Sequence, residues 1–152
     1  MKKTAVIGIG NILLRDDGIG VHVIHELLKE NFKAPVDLID GGTCILDLLD
    51  IFVKNDRVII VDSLKGGYVP GTIYKVTPKE LGRYIKSNSS LHDVQVLDII
   101  RQVNLMGYSP NVVIIGIEPK EIFFDMNLSE TLKEQVPKII GVIEKEIGDI
   151  CA

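Results

Sequence analysis

The chain has 152 residues, of which 46% are apolar and 25% are charged, and its net charge is −4 at pH 7. This length suits one domain with a sizeable core, and this composition excludes a disordered chain. The negative net charge disfavours nucleic acid as a partner, because a phosphate backbone attracts basic surfaces. We therefore predict a single domain over residues 1–152.

The cysteines and the apolar runs bear on the compartment. Cys44 and Cys151 are the two cysteines, and their spacing matches neither a disulfide framework nor a thiolate metal site. The start of the chain imitates a signal peptide only briefly, because glycines and then Arg15-Asp16-Asp17 interrupt its apolar run. No run approaches the roughly 18 apolar residues that a membrane-spanning helix needs. We expect a cytoplasmic protein that has no membrane partner.

The first predicted element is a short, β-branched, apolar strand from Thr4 to Ile9. A glycine-rich turn follows, and Gly18 to Lys29 then carries its apolar residues at helical spacing. We expect His22 and His25 to lie on the solvent face of this helix. The order of strand, turn and helix is the first step of a parallel α/β unit.

The next elements continue this alternation. Val36 to Ile39 predicts a second strand, and Ile45 to Phe52 predicts a helix after it. Arg57 to Val61 is a nearly unbroken apolar strand that ends at Asp62-Ser63. Such a run is typical of a strand that helices cover on both faces.

The second half departs from this alternation. Thr72 to Val76 alternates as an edge or antiparallel strand does, and a short helical segment is predicted after it. Lys86 to Ser90 is predicted to be a polar linker before a helix that begins near His92. Val112 to Ile117 is the last predicted core strand, and Ser129 to Ile147 predicts a closing helix.

Together these elements predict an α/β fold: a single-domain, doubly wound, mostly parallel twisted sheet of about five strands with helices on both faces. The first and third strands are expected to flank the point where the strand order switches. Ligands bind beyond the carboxyl ends of the strands at such a point. Asp17 and Asp62 are therefore predicted to emerge side by side.

The adjacent Asp16 and Asp17 precede the first helix, where one carboxylate is enough to cap free amide groups. We predict Asp16 as the cap and Asp17 as the functional group. Asp62 alone is as readily explained by an Asx turn, so its significance comes from its position. Two carboxylates within about 4–6 Å repel each other unless a cation intervenes, and a metal ion is the natural third partner.

His92 lies in a polar connection, where loops often carry functional groups. Taken alone, it is more often an ordinary exposed histidine than a ligand. Together with Asp17 and Asp62 it forms a set of two oxygen donors and one nitrogen donor, which suits a divalent metal ion and leaves coordination positions open. Glu118, after the last strand, is a secondary candidate carboxylate.

Gly8-Ile9-Gly10 follows a predicted strand, as the start of a dinucleotide-binding fingerprint does. The pattern fails in detail: Leu13 stands at the third glycine position. In addition, Asp16-Asp17 would present anions where a pyrophosphate should bind.

At this point the sequence resembles the hydrogenase maturation endopeptidases, which trim the C-terminal tail from the large subunit of nickel-iron hydrogenases. The resemblance runs through most of the chain and rests on five motifs in the order of the family. These are Gly8-x-Gly10-Asn11-x-Leu13-x-x-Asp16-Asp17-Gly18-x-Gly20, Asp40-Gly41-Gly42-Thr43, Asp62, His92 and Gly116-x-x-Pro119.

The resemblance implies a nickel-dependent endopeptidase in which Asp17, Asp62 and His92 are catalytic and contact the metal. It also implies that nickel arrives in the immature substrate, so the expected partner is a hydrogenase large-subunit precursor. Separately, we expect the chain to be a monomer. Many relatives carry glutamate where Asp17 stands. Aspartate is one methylene shorter, which affects the fine geometry but not the ligand type.

Two other functions stay open from the sequence. A nonenzymatic, metal-sensing chaperone would use the same ligands to hold a metalloprotein precursor, but only a peptidase predicts a shortened product. Another small α/β hydrolase, such as peptidyl-tRNA hydrolase, also has a Gly-x-Gly-Asn start. There proline usually follows the asparagine, whereas Ile12 follows Asn11 here, and an acidic chain suits tRNA poorly.

Overall fold

The computed structural model describes residues 3–30, 35–88 and 91–151. Its strands form one sheet in the order β2-β1-β3-β5-β4. Four strands are parallel, and β4 pairs with β5 in the antiparallel direction. The predicted five-stranded, mostly parallel sheet with an antiparallel edge is confirmed. The strands are β1 (Thr4–Ile9), β2 (Val36–Gly42), β3 (Arg57–Ser63), β4 (Ile73–Val76) and β5 (Asn111–Ile117).

The helices follow the predicted order with one difference. α3 continues to Asn88, so the polar linker predicted from Lys86 is wrong over residues 86–88, while Ser89 and Ser90 lie outside the described residues. Polar composition alone does not end a helix, and lysine is a good helix former. None of the described helices is long and apolar enough to span a membrane. The helices are α1 (Ile19–Lys29), α2 (Leu49–Lys54), α3 (Pro78–Asn88), α4 (Leu91–Leu105) and α5 (Glu130–Cys151).

The core has two layers, one on each face of the sheet. Val6 and Ile59 belong to the layer that α1 and α5 cover, whereas Ile7 and Ile60 belong to the layer that α2 and α4 cover. Consecutive side chains of a strand point to opposite faces, so a strand buried on both faces is apolar throughout. This explains the unbroken apolar run of β3.

The functional edge of the sheet lies where β1 and β3 end. β1 pairs with β2 on one side and with β3 on the other, so the strand order switches at this pair, as predicted. A Cβ atom at Gly20 would lie 2.0 Å from the carbonyl oxygen of Val61 and 2.5 Å from that of Ile9. Only glycine permits this approach, and Gly20 therefore allows α1 to begin directly against the ends of β1 and β3. The 3-10 turn Arg15–Gly18, which precedes α1, is thereby held at the same edge.

Candidate functional site

Asp62 lies near the carboxyl end of β3 and is only 3% exposed. Burial raises the pKa of this carboxyl well above its usual value, and the neighbouring charges of Asp93 and Asp17 raise it further. The Ser63 backbone N–H donates a hydrogen bond of 2.8 Å to Asp62 Oδ1, which lowers the pKa in part. Among the described residues, none of these influences on Asp62 comes from a positive charge.

Asp17 lies in the 3-10 turn and is half-buried. Its Oδ2 accepts a hydrogen bond of 2.9 Å from the Asn11 backbone N–H, and its Oδ1 lies 3.5 Å from Ser63 Oγ. Because Ser63 also donates to Asp62, one residue of β3 contacts both carboxyl groups. The structure therefore places Asp17 and Asp62 side by side at the sheet edge.

Asp93 is a third carboxyl group at this site, and the sequence analysis did not identify it. It is the third residue of α4 and is 8% exposed. Its charge acts on Asp62 more strongly than that of Asp17 does. An acidic residue in the first turn of a helix is usually explained by the helix dipole, so its sequence position carried no distinct signal. We call Asp17, Asp62 and Asp93 the acid cluster.

His92 is the second residue of α4, next to Asp93. It is half-buried, and its Nδ1 atom is buried without a hydrogen-bond partner among the described residues. Buried ring nitrogens are normally hydrogen-bonded, so Nδ1 is still able to bind a metal ion or a hydrogen-bond partner. Within the described ranges, however, no three His, Cys, Asp or Glu side chains converge closely enough to hold a metal ion. Adjacency along the chain brings His92 to the acid cluster, but the three predicted ligands do not form a closed metal site.

Asp16 does not cap α1, and the prediction of that role is wrong. Gly18 directly precedes α1 and has no side chain that could cap the helix. The two aspartates lie in the 3-10 turn before it. The Asp16 carboxylate is fully buried and instead accepts four hydrogen bonds of 2.8–3.0 Å from the segment after β5. Its donors are the backbone N–H groups of Lys120, Glu121 and Ser129 and the Ser129 hydroxyl.

Arg15 strengthens the same connection. Its guanidinium forms ion pairs with Glu121 at 2.7 Å and Asp125 at 2.9 Å, and it lies 5.1 Å from the centre of the Phe123 ring. Its φ of 49° is left-handed, which costs a non-glycine residue roughly 1–3 kcal/mol. The ion pairs hold this backbone in place, and the acid-bearing turn and the segment after β5 therefore form one unit.

Glu118, the secondary candidate, organises the loop that follows β3. It is 7% exposed, and its Oε1 accepts hydrogen bonds from the Gly66 and Gly67 backbones at 2.8 and 2.9 Å. The Tyr74 hydroxyl and the Tyr68 backbone donate to the same oxygen at 2.5 and 3.3 Å. These contacts give Glu118 a positioning role beside the acid cluster.

The two histidines of α1 differ in exposure. His25 is exposed, as predicted, and its Nε2 lies 2.9 Å from Asp40 Oδ2. His22 was also predicted on the solvent face, but it is half-buried. It lines a cleft with Leu128 and Val136, where burial lowers the pKa of its imidazole. α5 and the residues just before it lie against this part of α1. The spacing of apolar residues in α1 alone does not predict that contact.

A comparison with known proteins connects this geometry to a family. The family model described as hydrogenase maturation protease matches residues 21–146. The chain belongs to the hydrogenase maturation protease family. Membership confirms the resemblance read from the motifs and makes the chain a protease by class.

Individual relatives agree with this assignment. A Methanocaldococcus jannaschii protein named as a hydrogenase maturation protease is 33% identical, with 98% of this chain and 97% of that protein covered. The hydrogenase expression/formation protein HupD of Rhodobacter capsulatus is 32% identical over 80% of this chain, which spans only 59% of that relative's length. The hydrogenase maturating endopeptidase HybD of Escherichia coli has the same fold as this chain. Its structure has a TM-score of 0.87 at 24% identity, with 97% and 93% of the two chains covered.

Proposed function

We propose that this protein is a nickel-dependent endopeptidase that removes the C-terminal extension of a nickel-iron hydrogenase large-subunit precursor. One observation carries the proposal: Asp62 is buried against two further carboxyl groups, and no positive charge among the described residues relieves it. Such a group costs folding stability unless it binds a proton or a cation. A cation that enters with the substrate is therefore favoured at this position.

The donor set fits nickel in its chemistry. First-row divalent metals accept carboxylate oxygens, such as those of Asp17 and Asp62, and imidazole nitrogens, such as His92 Nδ1, which has no hydrogen-bond partner in the described part of the chain. The three are not arranged as a closed site in the described residues, so we assign the nickel to the precursor. Ligands of the precursor would complete the coordination shell, and cleavage would then depend on prior insertion of the metal.

The chain's own residues would bind and orient the scissile peptide and move one proton. A carboxylate of the acid cluster accepts a proton from the attacking water, whose oxygen forms a bond to the scissile carbonyl carbon. The carbon–nitrogen bond then breaks, and the same carboxyl group gives this proton to the leaving amine, which restores the carboxylate. Nickel bound to the precursor would polarise that carbonyl.

Variants of the proposed ligands test the assignment. Asp17→Asn and His92→Ala should each lower the rate of precursor shortening by about 100-fold or more, as expected for loss of a positioned catalytic group. Asp98→Asn and His25→Ala change exposed residues of the same types and should retain the rate. Intact-mass spectrometry of the precursor measures the product directly.

The same experiment separates a peptidase from a metal-sensing chaperone. Undiminished cleavage by both ligand variants would overturn the site assignment. Binding of nickel-loaded precursor by the wild-type chain without any shortened product would overturn the peptidase and support the chaperone.

A further inference from the structure

A cleft of about 460 Å³ lies at the carboxyl edge of the sheet and has no role in the function proposed above. Its walls come from the loop after β3 and the segment after β5, and Asp62 precedes Lys65 by three residues. Since an extended residue spans at most about 3.6 Å, the Cα atoms of these two residues lie within roughly 11 Å. The cleft is lined by Lys65, Gly67, Glu118, Pro119, Lys120 and Ile122.

The cleft carries two cationic groups without anionic partners. Lys65 and Lys120 are exposed, and neither forms an ion pair with any residue of the described ranges. Lys54 and Lys75, by contrast, form ion pairs with Asp50 and Glu146. The cleft is therefore a local positive site on a protein whose net charge is −4.

Both lysines stand on backbone that buried carboxylates hold in place. Asp16 Oδ2 accepts the backbone N–H of Lys120 at 3.0 Å, and Glu118 Oε1 accepts that of Gly66, next to Lys65, at 2.8 Å. Glu118 Oε1 is occupied by these loop donors, and the residue forms no ion pair with either lysine within the described chain. A ligand would therefore find the backbone beneath both lysines already ordered, so that mainly the lysine side chains remain to be ordered on binding.

We propose that this cleft binds a peptide carboxylate of the precursor tail, borne by an acidic side chain or by the chain terminus. Two ammonium groups recognise a carboxylate, and partly exposed Ile122 offers an apolar contact to the neighbouring residue. Because Lys65 follows Asp62 closely along the chain, this carboxylate would lie within a few residues of the cleaved bond. This inference rests on the proposed function, because the bound peptide is the tail of the hydrogenase precursor.

Peptide binding to the full-length protein tests the cleft without any cleavage. The probes are three fluorescein-labelled ten-residue peptides of one apolar sequence: one with glutamate and a free terminus, one with glutamine instead, and one with an amidated terminus. Fluorescence anisotropy should show that the fully acidic peptide binds about three- to tenfold more tightly than at least one neutralised peptide. The peptide that loses affinity identifies whether the side chain or the terminus is bound.

Variants show whether the lysines are responsible. The double variant Lys65→Gln/Lys120→Gln should bind all three peptides equally and keep the thermal midpoint of the wild type. Lys138→Gln, which removes an exposed charge on α5, should keep the preference. Equal binding of the three peptides by the wild type, no saturable binding of the acidic peptide, or a preference that persists in the double variant would each overturn the proposal.

A parallel assay of precursor shortening keeps the two proposals apart. A preference for the acidic peptide in a protein that does not shorten the precursor would leave the cleft in place and overturn the peptidase function. Shortening without any such preference would overturn the cleft and leave the peptidase function in place.

Discussion

Asp16 and Asp17 are adjacent in the sequence, but their carboxylates face different parts of the molecule. Asp16 accepts four hydrogen bonds from the segment after β5, whereas Asp17 faces Ser63 and Asp62. The first carboxylate stabilises the fold, and the second belongs to the acid cluster. Their substitutions should therefore separate stability from activity.

Asp16→Ala should lower the free energy of unfolding by about 3–5 kcal/mol, because it leaves several buried donors without an acceptor. Asp17→Ala should change it by about 1 kcal/mol or less, since that side chain accepts one backbone hydrogen bond at a half-buried position. Urea unfolding followed by circular dichroism measures both. Equal losses in the two variants would contradict the division of roles.

The raised pKa of Asp62 predicts a dependence of stability on pH. Folded protein binds this proton more tightly than the unfolded chain does, so the wild type loses stability as pH rises from the ordinary aspartate value through the raised one. Asp62→Asn removes this loss and should be more stable than wild type at pH 7, by about 2–4 °C in thermal midpoint per kcal/mol recovered.

Thermal midpoints between pH 4 and pH 8 check this expectation. The advantage of Asp62→Asn should shrink towards pH 4, where the carboxyl is protonated in the folded state and about half protonated in the unfolded state. Asp98→Asn, at an exposed position, serves as the control. An advantage that grows on acidification would show that the sign of the pKa shift is wrong.

At this scale, Asp17 and Asp62 were identified from the sequence because each follows a strand of a parallel sheet. Asp93 was not, because its proximity to Asp62 depends on how α4 packs against the sheet. The role of Asp16 was missed for a similar reason: its partners lie more than 100 residues away along the chain. Local patterns identify positions at strand ends, whereas partners distant in sequence appear only in the folded chain.

At the scale of elements, the contact of α1 with the ends of β1 and β3 sets the position of the acid-bearing turn. Gly20→Ala should destabilise the protein by about 3 kcal/mol or more, because the added methyl would overlap the Val61 carbonyl oxygen. Gly141→Ala is the matched control in α5, where nothing lies within 4 Å of the added carbon. That change should raise stability by about 0.5–1 kcal/mol through helix propensity alone.

Denaturant midpoints of the two variants measure these effects. If Gly20→Ala retained wild-type stability, α1 would not lie as close to the strand ends as described, and the position of Asp17 would lose its explanation.

The elements themselves were largely predictable. Buried parallel strands have long apolar runs, and in the edge strand β4 the exposed Lys75 interrupts the apolar residues. The boundary of α3 was predicted less well, because a polar helical turn and a polar linker have the same composition. The segment 119–129 has no regular pattern at all, and its conformation depends on Arg15 and Asp16.

At the scale of the whole molecule, the strand ends, α4 and two anchored loops converge at one edge of the sheet. The acid cluster lies there, next in sequence to His92, whose Nδ1 has no hydrogen-bond partner among the described residues, and the loop after β3 leads from Asp62 to the positive cleft. Doubly wound sheets bind their ligands at this edge. On this arrangement rests the proposal that cleavage depends on a cation carried by the precursor.

The most direct test of this account compares nickel-loaded with nickel-free hydrogenase large-subunit precursor, each incubated with the wild-type protein and followed by intact-mass spectrometry. The account predicts that only the nickel-loaded precursor loses its C-terminal extension. Equal shortening of the nickel-free precursor would contradict it.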